Sequence, residues 1–303
     1  MTPWTKLDEG GVLLLDGGMG QELVARGVDN STGLWSAEAL IHQPALVQQA
    51  HKAFLDAGAD VIIANTYAST IRRVPERDKF ERLNRTAGEL ARAAVAEADH
   101  DALVAGSLPP MFGSYRPDQV RGEDELLPMY RAQCEVQAPY VDLFLCETMS
   151  TAGEARAAAK AAAEFDKPVW VSWTLADDRS GRLRSGESIV DAAQALEDLG
   201  VSALLVNCSI PEAATAAMPA LAQAAAGRPY GAYPNGFHPI DSAVGVNDGA
   251  DVPGEREDLD QTGFARFAQT WREAGAQLIG GCCETHPSHI AELSRVLHTA
   301  AAA

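Results

Sequence analysis

Gln277-Leu278-Ile279-Gly280-Gly281-Cys282-Cys283 is the stretch that decides the fold. Gln277–Gly280 reads as a short buried strand. The segment before it, Gly263–Ala274, has helical spacing and is closed by Gly275; His289–Leu297 after it is helical again. Seven more strands precede it: Val12–Asp16, Val61–Asn65, Ala102–Gly106, Val141–Cys146, Val169–Thr174, Ala203–Asn207 and Tyr230–Tyr233. Each is apolar almost throughout, as parallel strands covered on both faces are. Helical segments alternate with them: Pro44–Ala57, Phe80–Ala96, Leu126–Gln137, Ala152–Phe165, Ser188–Leu199 and Pro211–Ala225. Eight βα units without a Gly/Ser- or Pro-rich linker predict an α/β chain folded as one (β/α)8 TIM barrel over residues 1–303. An open sheet has less use for the eighth strand and its helix.

Composition narrows the function. Hydrophobic residues make up 47% and charged residues 22%, an ordinary globular balance. The formal net charge of −18 repels phosphate backbones and anionic lipid, so neither nucleic acid nor membrane is expected as a partner. No stretch is long and apolar enough to span a bilayer, and Met1–Gly11 lacks the pattern of a secretory signal. A cytoplasmic location is the expectation. An odd count of five cysteines argues against a disulfide framework and for metal or catalytic use. Oligomeric state is not legible.

Barrel enzymes place their chemistry where strands end and βα loops begin. That rule selects Asp16-Gly17-Gly18-Met19-Gly20, Asn65-Thr66-Tyr67, Ser107, Cys146-Glu147-Thr148, Trp173-Thr174, Asn207-Cys208, Pro234-Asn235 and Cys282-Cys283. Cys208, Cys282 and Cys283 come from strands six and eight but meet at one mouth. Three thiolates with one open position describe a catalytic zinc site, and soft sulfur favours zinc over magnesium or calcium. The competing reading is inert buried thiols, or a vicinal disulfide between Cys282 and Cys283. The glycine run after Asp16 is not a nucleotide fingerprint. It offers backbone N–H groups for a substrate carboxylate, and Asp16 a seat for an ammonium; a tight turn with an N-cap acid is the alternative. Glu147 is either a second ammonium receptor or half of an internal salt bridge. Trp35, Tyr67 and Trp173 are aromatic faces suited to a cationic donor, or core packing. His286 and His289 have metal-like spacing, but Thr285-His286-Pro287 reads as a helix start. The polar stretch Gly236–Asp260 is too long for an ordinary connection and reads as a loop decorating the site.

Together these motifs resemble the homocysteine S-methyltransferase family over about Leu13 to Val296. The similarity is carried by Leu15-Asp16-Gly17-Gly18-Met19-Gly20 with Glu22, Leu34-Trp35-Ser36-Ala37, Asn65-Thr66-Tyr67-Ala68-Ser69 and Glu147-Thr148. It continues in Val206-Asn207-Cys208, Tyr233-Pro234-Asn235 and Ile279-Gly280-Gly281-Cys282-Cys283-Glu284-Thr285. The resemblance implies a homocysteine-binding barrel with Zn2+ on Cys208, Cys282 and Cys283. It places Asp16 and Glu147 on the homocysteine ammonium, and Gly17, Gly18 and Thr66 near its carboxylate. Asn207 belongs to the same substrate-binding set, and Trp35 and Tyr67 sit beside the methyl donor. Two departures stand out: Gln21 where many members carry Thr, and Gly236-Phe237 where members using S-methylmethionine often carry Gly-Glu.

The expected reaction moves a methyl group from S-methylmethionine, S-adenosylmethionine or a betaine-like onium donor to homocysteine, giving methionine. Methylation of another small thiol or selenol, or a non-enzymatic zinc or redox protein, are the alternatives. A Schiff-base lyase is disfavoured, since none of Lys6, Lys52, Lys79, Lys160 and Lys167 lies at a strand C-terminal end.

Overall fold

The structure, a computed structural model, describes residues 1–29, 34, 36–240 and 253–299. Its parallel strands are β1 (Leu13–Leu14), β2 (Val61–Ile63), β3 (Leu103–Leu108), β4 (Leu143–Met149), β5 (Val169–Trp173), β6 (Ala203–Asn207), β7 (Tyr230–Tyr233) and β8 (Leu278–Ile279). They follow the order β1-β8-β7-β6-β5-β4-β3-β2. A parallel bridge between Leu15 and Val61 joins the first strand to the second, so the sheet curls back on itself as a barrel.

Period-two alternation builds two cores from the same strands. Leu13, Leu15, Val61, Leu103, Ala105, Leu143, Leu145, Trp170, Ala203, Leu205 and Leu278 form one cluster, the interior of the ring. Leu14, Ile62, Val104, Phe144, Val171, Leu204, Val206 and Ile279 join the helices in the other. The interior is packed at its lower end by the helix α1 (Pro3–Asp8), whose Leu7 and Trp4 meet it. The Trp4 and Trp170 rings touch edge to face, with centroids 6.2 Å apart.

The helices α4 (Pro44–Asp56), α5 (Arg77–Ala96), α6 (Glu123–Gln137), α7 (Ala152–Ala162), α8 (Ile189–Gln194), α9 (Pro211–Ala225), α10 (Gln261–Glu273) and α11 (Pro287–Thr299) lie near the expected segments. Caps explain their starts. Thr151 accepts the Glu154 N–H at 3.0 Å, Ser188 the Asp191 N–H at 3.1 Å and Asp260 the Gly263 N–H at 2.7 Å. Proline opens α4, α9 and α11.

Three short helices were not expected: α1, α2 (Met19–Ala25) and α3 (Ala37–His42). Each has six or seven residues, too few for a periodic signal. Strand β4 runs past Cys146 to Met149 through a register shift, with Thr148 at φ 61°. Glu147 keeps the inward phase of Leu143 and Leu145, and the irregularity falls between Cys146 and Met149. Among the described residues, no helix is long and apolar enough to cross a membrane.

Candidate active site at the barrel mouth

Each interior column of side chains turns polar at the strand C-terminal ends. Two residues beyond apolar Ala105, Leu145 and Leu205 stand Ser107, Glu147 and Asn207. Ser172 and Tyr233 continue this layer on β5 and β7. Asn207 ties it together: its Oδ1 accepts the Thr148 N–H at 2.9 Å and the Ser172 hydroxyl at 2.7 Å, and its Nδ2 donates to Thr148 Oγ1 at 2.9 Å. The residue after it, Cys208, takes φ 48°. A left-handed backbone costs a non-glycine residue about 1–2 kcal/mol, and here it directs the sulfur into the mouth.

The loops after β1 and β8 interlock. The Gly18 N–H donates to Thr285 O at 2.8 Å, and the Gly281 N–H to Asp16 O at 3.0 Å. A Cβ on Gly17 would lie 2.4 Å from Thr285 O, and one on Gly281 would lie 2.1 Å from Thr285 Oγ1. These glycines serve close approach of two backbones rather than a sharp turn. The loop after β7 holds the cysteine pair from the other side. Cys282 N–H donates to Pro234 O at 2.8 Å, and Asn235 Oδ1 accepts the Cys283 N–H at 3.2 Å.

The result is a cavity of about 140 Å³ at the mouth, lined by Cys208, Cys282, Cys283, Asp16, Gly17, Gly18, Tyr67 and Glu147 among others. The three sulfurs lie within 4.8 Å of one another, with Cys208 Sγ and Cys282 Sγ 2.8 Å apart. None is in a disulfide. Burial pushes the Cys208 thiol up, but hydrogen bonds from Cys282, Cys283, Tyr115 and Thr148 outweigh it and hold the group well below its ordinary value. Cys282 and Cys283 are held up because each donates to Cys208. A sulfur-only cluster in which one thiol is drawn toward its thiolate suits a thiophilic divalent ion. Cys134 and Cys146 pack in the outer core away from it, and burial raises both thiols.

The two acids are buried without a cationic partner among the described residues. Asp16 Oδ2 accepts the Ile63 N–H at 2.9 Å, while Oδ1 makes no hydrogen bond. Burial holds its carboxyl well above the usual range, reinforced by Glu147. Glu147 takes the Ser107 hydroxyl, and burial lifts it to about 8. No internal salt bridge accounts for Glu147, and the N-cap of α2 is Gly18, not Asp16. Two desolvated carboxyls in one cavity would both be stabilised in their charged form by a cation brought beside them.

Other expectations fall out differently. Thr66 and Asn207 are fully buried beside the cavity and do not line it. The Thr66 hydroxyl points to the backbone oxygens of Ala64 and Ser107 at 3.4 and 3.5 Å. The Gly18 N–H is already spent on Thr285. Trp173 belongs to the outer core, facing the helices. Trp35 and much of the Gly236–Asp260 loop, 241–252, lie outside the described residues. His286 and His289 serve structure: His286 pairs with Glu22 at 2.9 Å, and His289 Nδ1 accepts the His286 N–H at 3.1 Å at the start of α11.

Sequence reasoning missed Tyr115, Arg184 and Asp177. Tyr115 lines the cavity at φ 65° and lies beneath the Arg184 guanidinium, 4.7 Å from its ring centroid. Arg184 is buried against Asp177 at 2.8 Å. Both clamp Ile240, through its O at 3.0 Å and its N–H at 2.8 Å. Phe237 is buried beside Tyr115 and adds an apolar wall. The only signal was an acid and a base seven positions apart in one βα loop.

Comparison with known proteins gives the same result from another direction. The homocysteine S-methyltransferase family model matches residues 13–297. The chain is 32% identical to homocysteine S-methyltransferase 4 of Zea mays, over 97% of this chain and 91% of that one. It is 33% identical to homocysteine S-methyltransferase of Escherichia coli, over 95% and 96% of the two chains. The crystal structure of the Escherichia coli homocysteine methyltransferase MmuM in its metallated form superposes with a TM-score of 0.81 at 32% identity, covering 96% of this chain and 98% of that one. A type I 3-dehydroquinate dehydratase from Clostridium difficile, 11% identical with a TM-score of 0.53, shares the fold alone. The chain belongs to the homocysteine S-methyltransferase family.

Proposed function

We propose that this protein is a zinc-dependent methyltransferase that moves a methyl group from an onium donor such as S-methylmethionine to homocysteine, giving methionine. The observation that carries this reading is the convergence of Cys208, Cys282 and Cys283 in the same cavity as two unpaired buried acids.

The three cysteines would hold the ion, whose Lewis acidity, when bound, favours loss of the proton from an incoming thiol. The remaining steps belong to the chain. Asp16 and Glu147 receive the homocysteine ammonium; its charge offsets the burial that raises both carboxyls. Tyr67, Tyr115, Tyr233 and Phe237 exclude water and offer ring faces to the onium. The homocysteine sulfur attacks the donor methyl in line. The new S–CH3 bond forms as the donor's bond to that methyl breaks, and the donor leaves as a neutral thioether or amine. Charge disappears in the transition state, so a dry, apolar wall favours it. Asn207 and Thr148 fix the Cys208 turn and act on position only. A cytoplasmic setting suits the reading, since reduced thiols persist there.

The test is a donor panel of S-methylmethionine, S-adenosylmethionine and betaine with homocysteine, following methionine by mass spectrometry. Methionine should form with at least one donor, stop on chelation and return with zinc. Stoichiometric zinc binding with no methionine from any donor would sink the enzyme reading and favour a metal-storage or redox role.

A further inference from the structure

Between β2 and β3 the backbone ladder stops short of the mouth. Strand β2 ends at Ile63, while β3 runs on to Leu108. The Ala64 N–H still donates to Ala105 O at 2.9 Å, and a parallel ladder would next set the Thr66 N–H on Ser107 O. Thr66 turns away instead and donates to Ala64 O at 2.6 Å. From β2 the buried Ser107 carbonyl keeps only the Thr66 hydroxyl, at 3.5 Å. A buried carbonyl needs a better donor than that. Gln137, the last residue of α6, supplies it: its Nε2 donates to Ser107 O at 3.0 Å.

The amide is held from several sides. Gln137 is 1% exposed, and Nε2 also donates to Asn84 Oδ1 at 3.4 Å. Asn84, on α5, is anchored in turn by its Nδ2, which donates to Phe80 O at 2.9 Å and Ser69 O at 2.8 Å. Two acceptors around Nε2 fix which way the amide is turned. Its Oε1 is buried without a partner among the described residues, over Gly106, where a Cβ would stand 2.6 Å from it. Glycine inside a strand weakens it; here it makes room for the amide. An apolar side chain would serve stability better at this helix–sheet contact, since an unmet buried oxygen is costly. What the amide holds is Ser107, whose hydroxyl donates to Glu147. The Ser107 carbonyl and hydroxyl hang on one backbone unit, so fixing the first fixes the second.

We propose that Gln137 is a positioning residue for the substrate ammonium: by holding the Ser107 carbonyl it keeps the Ser107 hydroxyl on Glu147, and so sets the acid where a cationic amino group is received. This rests on the reading of Glu147 as an ammonium receptor. Calorimetry on the zinc-loaded protein would compare homocysteine with 4-mercaptobutanoate, the same thiol acid without its amino group. The difference between the two isolates the ammonium and needs no turnover.

The wild type should bind homocysteine about tenfold or more tightly than 4-mercaptobutanoate. Gln137→Met, similar in shape but without the N–H groups, should weaken homocysteine about fivefold or more and leave 4-mercaptobutanoate within about twofold. Gln133→Met is the comparison. Gln133 lies one turn earlier on α6, is as deeply buried and donates to Asn84 Oδ1 at 2.8 Å, but makes no hydrogen bond to a strand among the described residues. It should lower the melting temperature while keeping the amino preference. In Ser107→Ala, which lacks the hydroxyl, adding Gln137→Met should cost homocysteine no further affinity. Gly106→Ala displaces the same amide from the strand side and should give a weaker form of the same loss, so the answer does not depend on one variant folding. Circular dichroism and zinc content check that each variant is folded and loaded. Homocysteine affinity kept in Gln137→Met and Gly106→Ala overturns the proposal, as does an equal loss for both thiols. The same selective loss in Gln133→Met, or a further loss on top of Ser107→Ala, also overturns it. Equal wild-type affinity for the two thiols is a different failure: it removes the ammonium seat at Glu147 itself, and the proposal with it.

Discussion

The two ends of the barrel are built from the same strands and solve opposite problems. At the lower end Leu13, Leu103, Leu143, Trp170 and Ala203 fill the ring, and Trp4 and Leu7 pack against it. The ring residues there are apolar, and the positive φ of Asp166 and Ala226 at this end belongs to helix C-caps outside the ring. At the mouth, one or two residues further along each strand, the molecule accepts costs. Tyr115, Thr148, Cys208 and Glu284 adopt positive φ. Asp16 Oδ1 and Gln21 Oε1 are buried without a partner among the described residues, and two carboxyls are desolvated. Each such departure costs on the order of 1–3 kcal/mol, and the packed lower end offsets it. Stability and chemistry are thus separable along a single strand, at a distance of a few residues.

That separation can be broken or sharpened by substitution. The largest effect belongs to Cys208→Ser. It should cut bound zinc to a small fraction of one per chain and methionine formation by about a thousandfold or more, equivalent to about 4 kcal/mol in the barrier. Unfolding measured in chelator should barely change. Full zinc content with normal turnover would refute the assignment of the sulfur cluster. Trp170→Ala attacks the other end. It should lower stability by about 3–5 kcal/mol in denaturant melts while leaving the homocysteine KM within about twofold. A large KM change there would mean the ends are coupled after all.

Glu147→Gln comes next. Losing a charge-assisted contact should raise the homocysteine KM by about ten- to a hundredfold, with a smaller fall in kcat. The same variant has an opposite signature in stability. Burial lifts this carboxyl from 4.5 to about 8, so the folded state binds the extra proton and its stability falls as pH rises from 4.5 to about 8. Glu147→Gln should remove that loss and be relatively more stable than wild type at pH 9. The smallest effect concerns neither end. His51 on α4 is fully buried with no partner on either ring nitrogen among the described residues, and burial lowers it from 6.5 to about 3. Its neutral form is the folded form, so stability is full above pH 6.5 and drains as pH falls toward 3. At pH 5 the loss should be about 2 kcal/mol, and His51→Leu should flatten that slope in acid melts.

The sequence made the barrel legible because each strand had to be apolar on both faces, which leaves an unbroken run where a half-exposed strand would alternate. Ala203–Asn207 and Tyr230–Tyr233 were read with their observed ends for that reason. Strand β4 was cut short at Cys146 because Glu147 and Thr148 interrupt the run; only a backbone irregularity allows them to continue it. The cysteine trio and both acids were legible as strand-end residues of unusual type. Tyr115 and the Arg184–Asp177 clamp were not, because nothing local distinguishes a buried ion pair in a loop from a solvated one. The fate of the Gly18 N–H was equally hidden: its partner Thr285 is set by the closing of the ring, not by neighbours in sequence.

The interlock between the loops after β1 and β8 has a consequence for biogenesis. Contacts there join residues such as Glu22 and His286, 264 positions apart. No partial barrel contains both faces of the cavity, so a chain still being synthesised, or one opened at that seam, displays isolated thiols and carboxylates but no pocket. Competence therefore arrives all at once, with the last strand, and the protein passes from inert to complete without a half-active form.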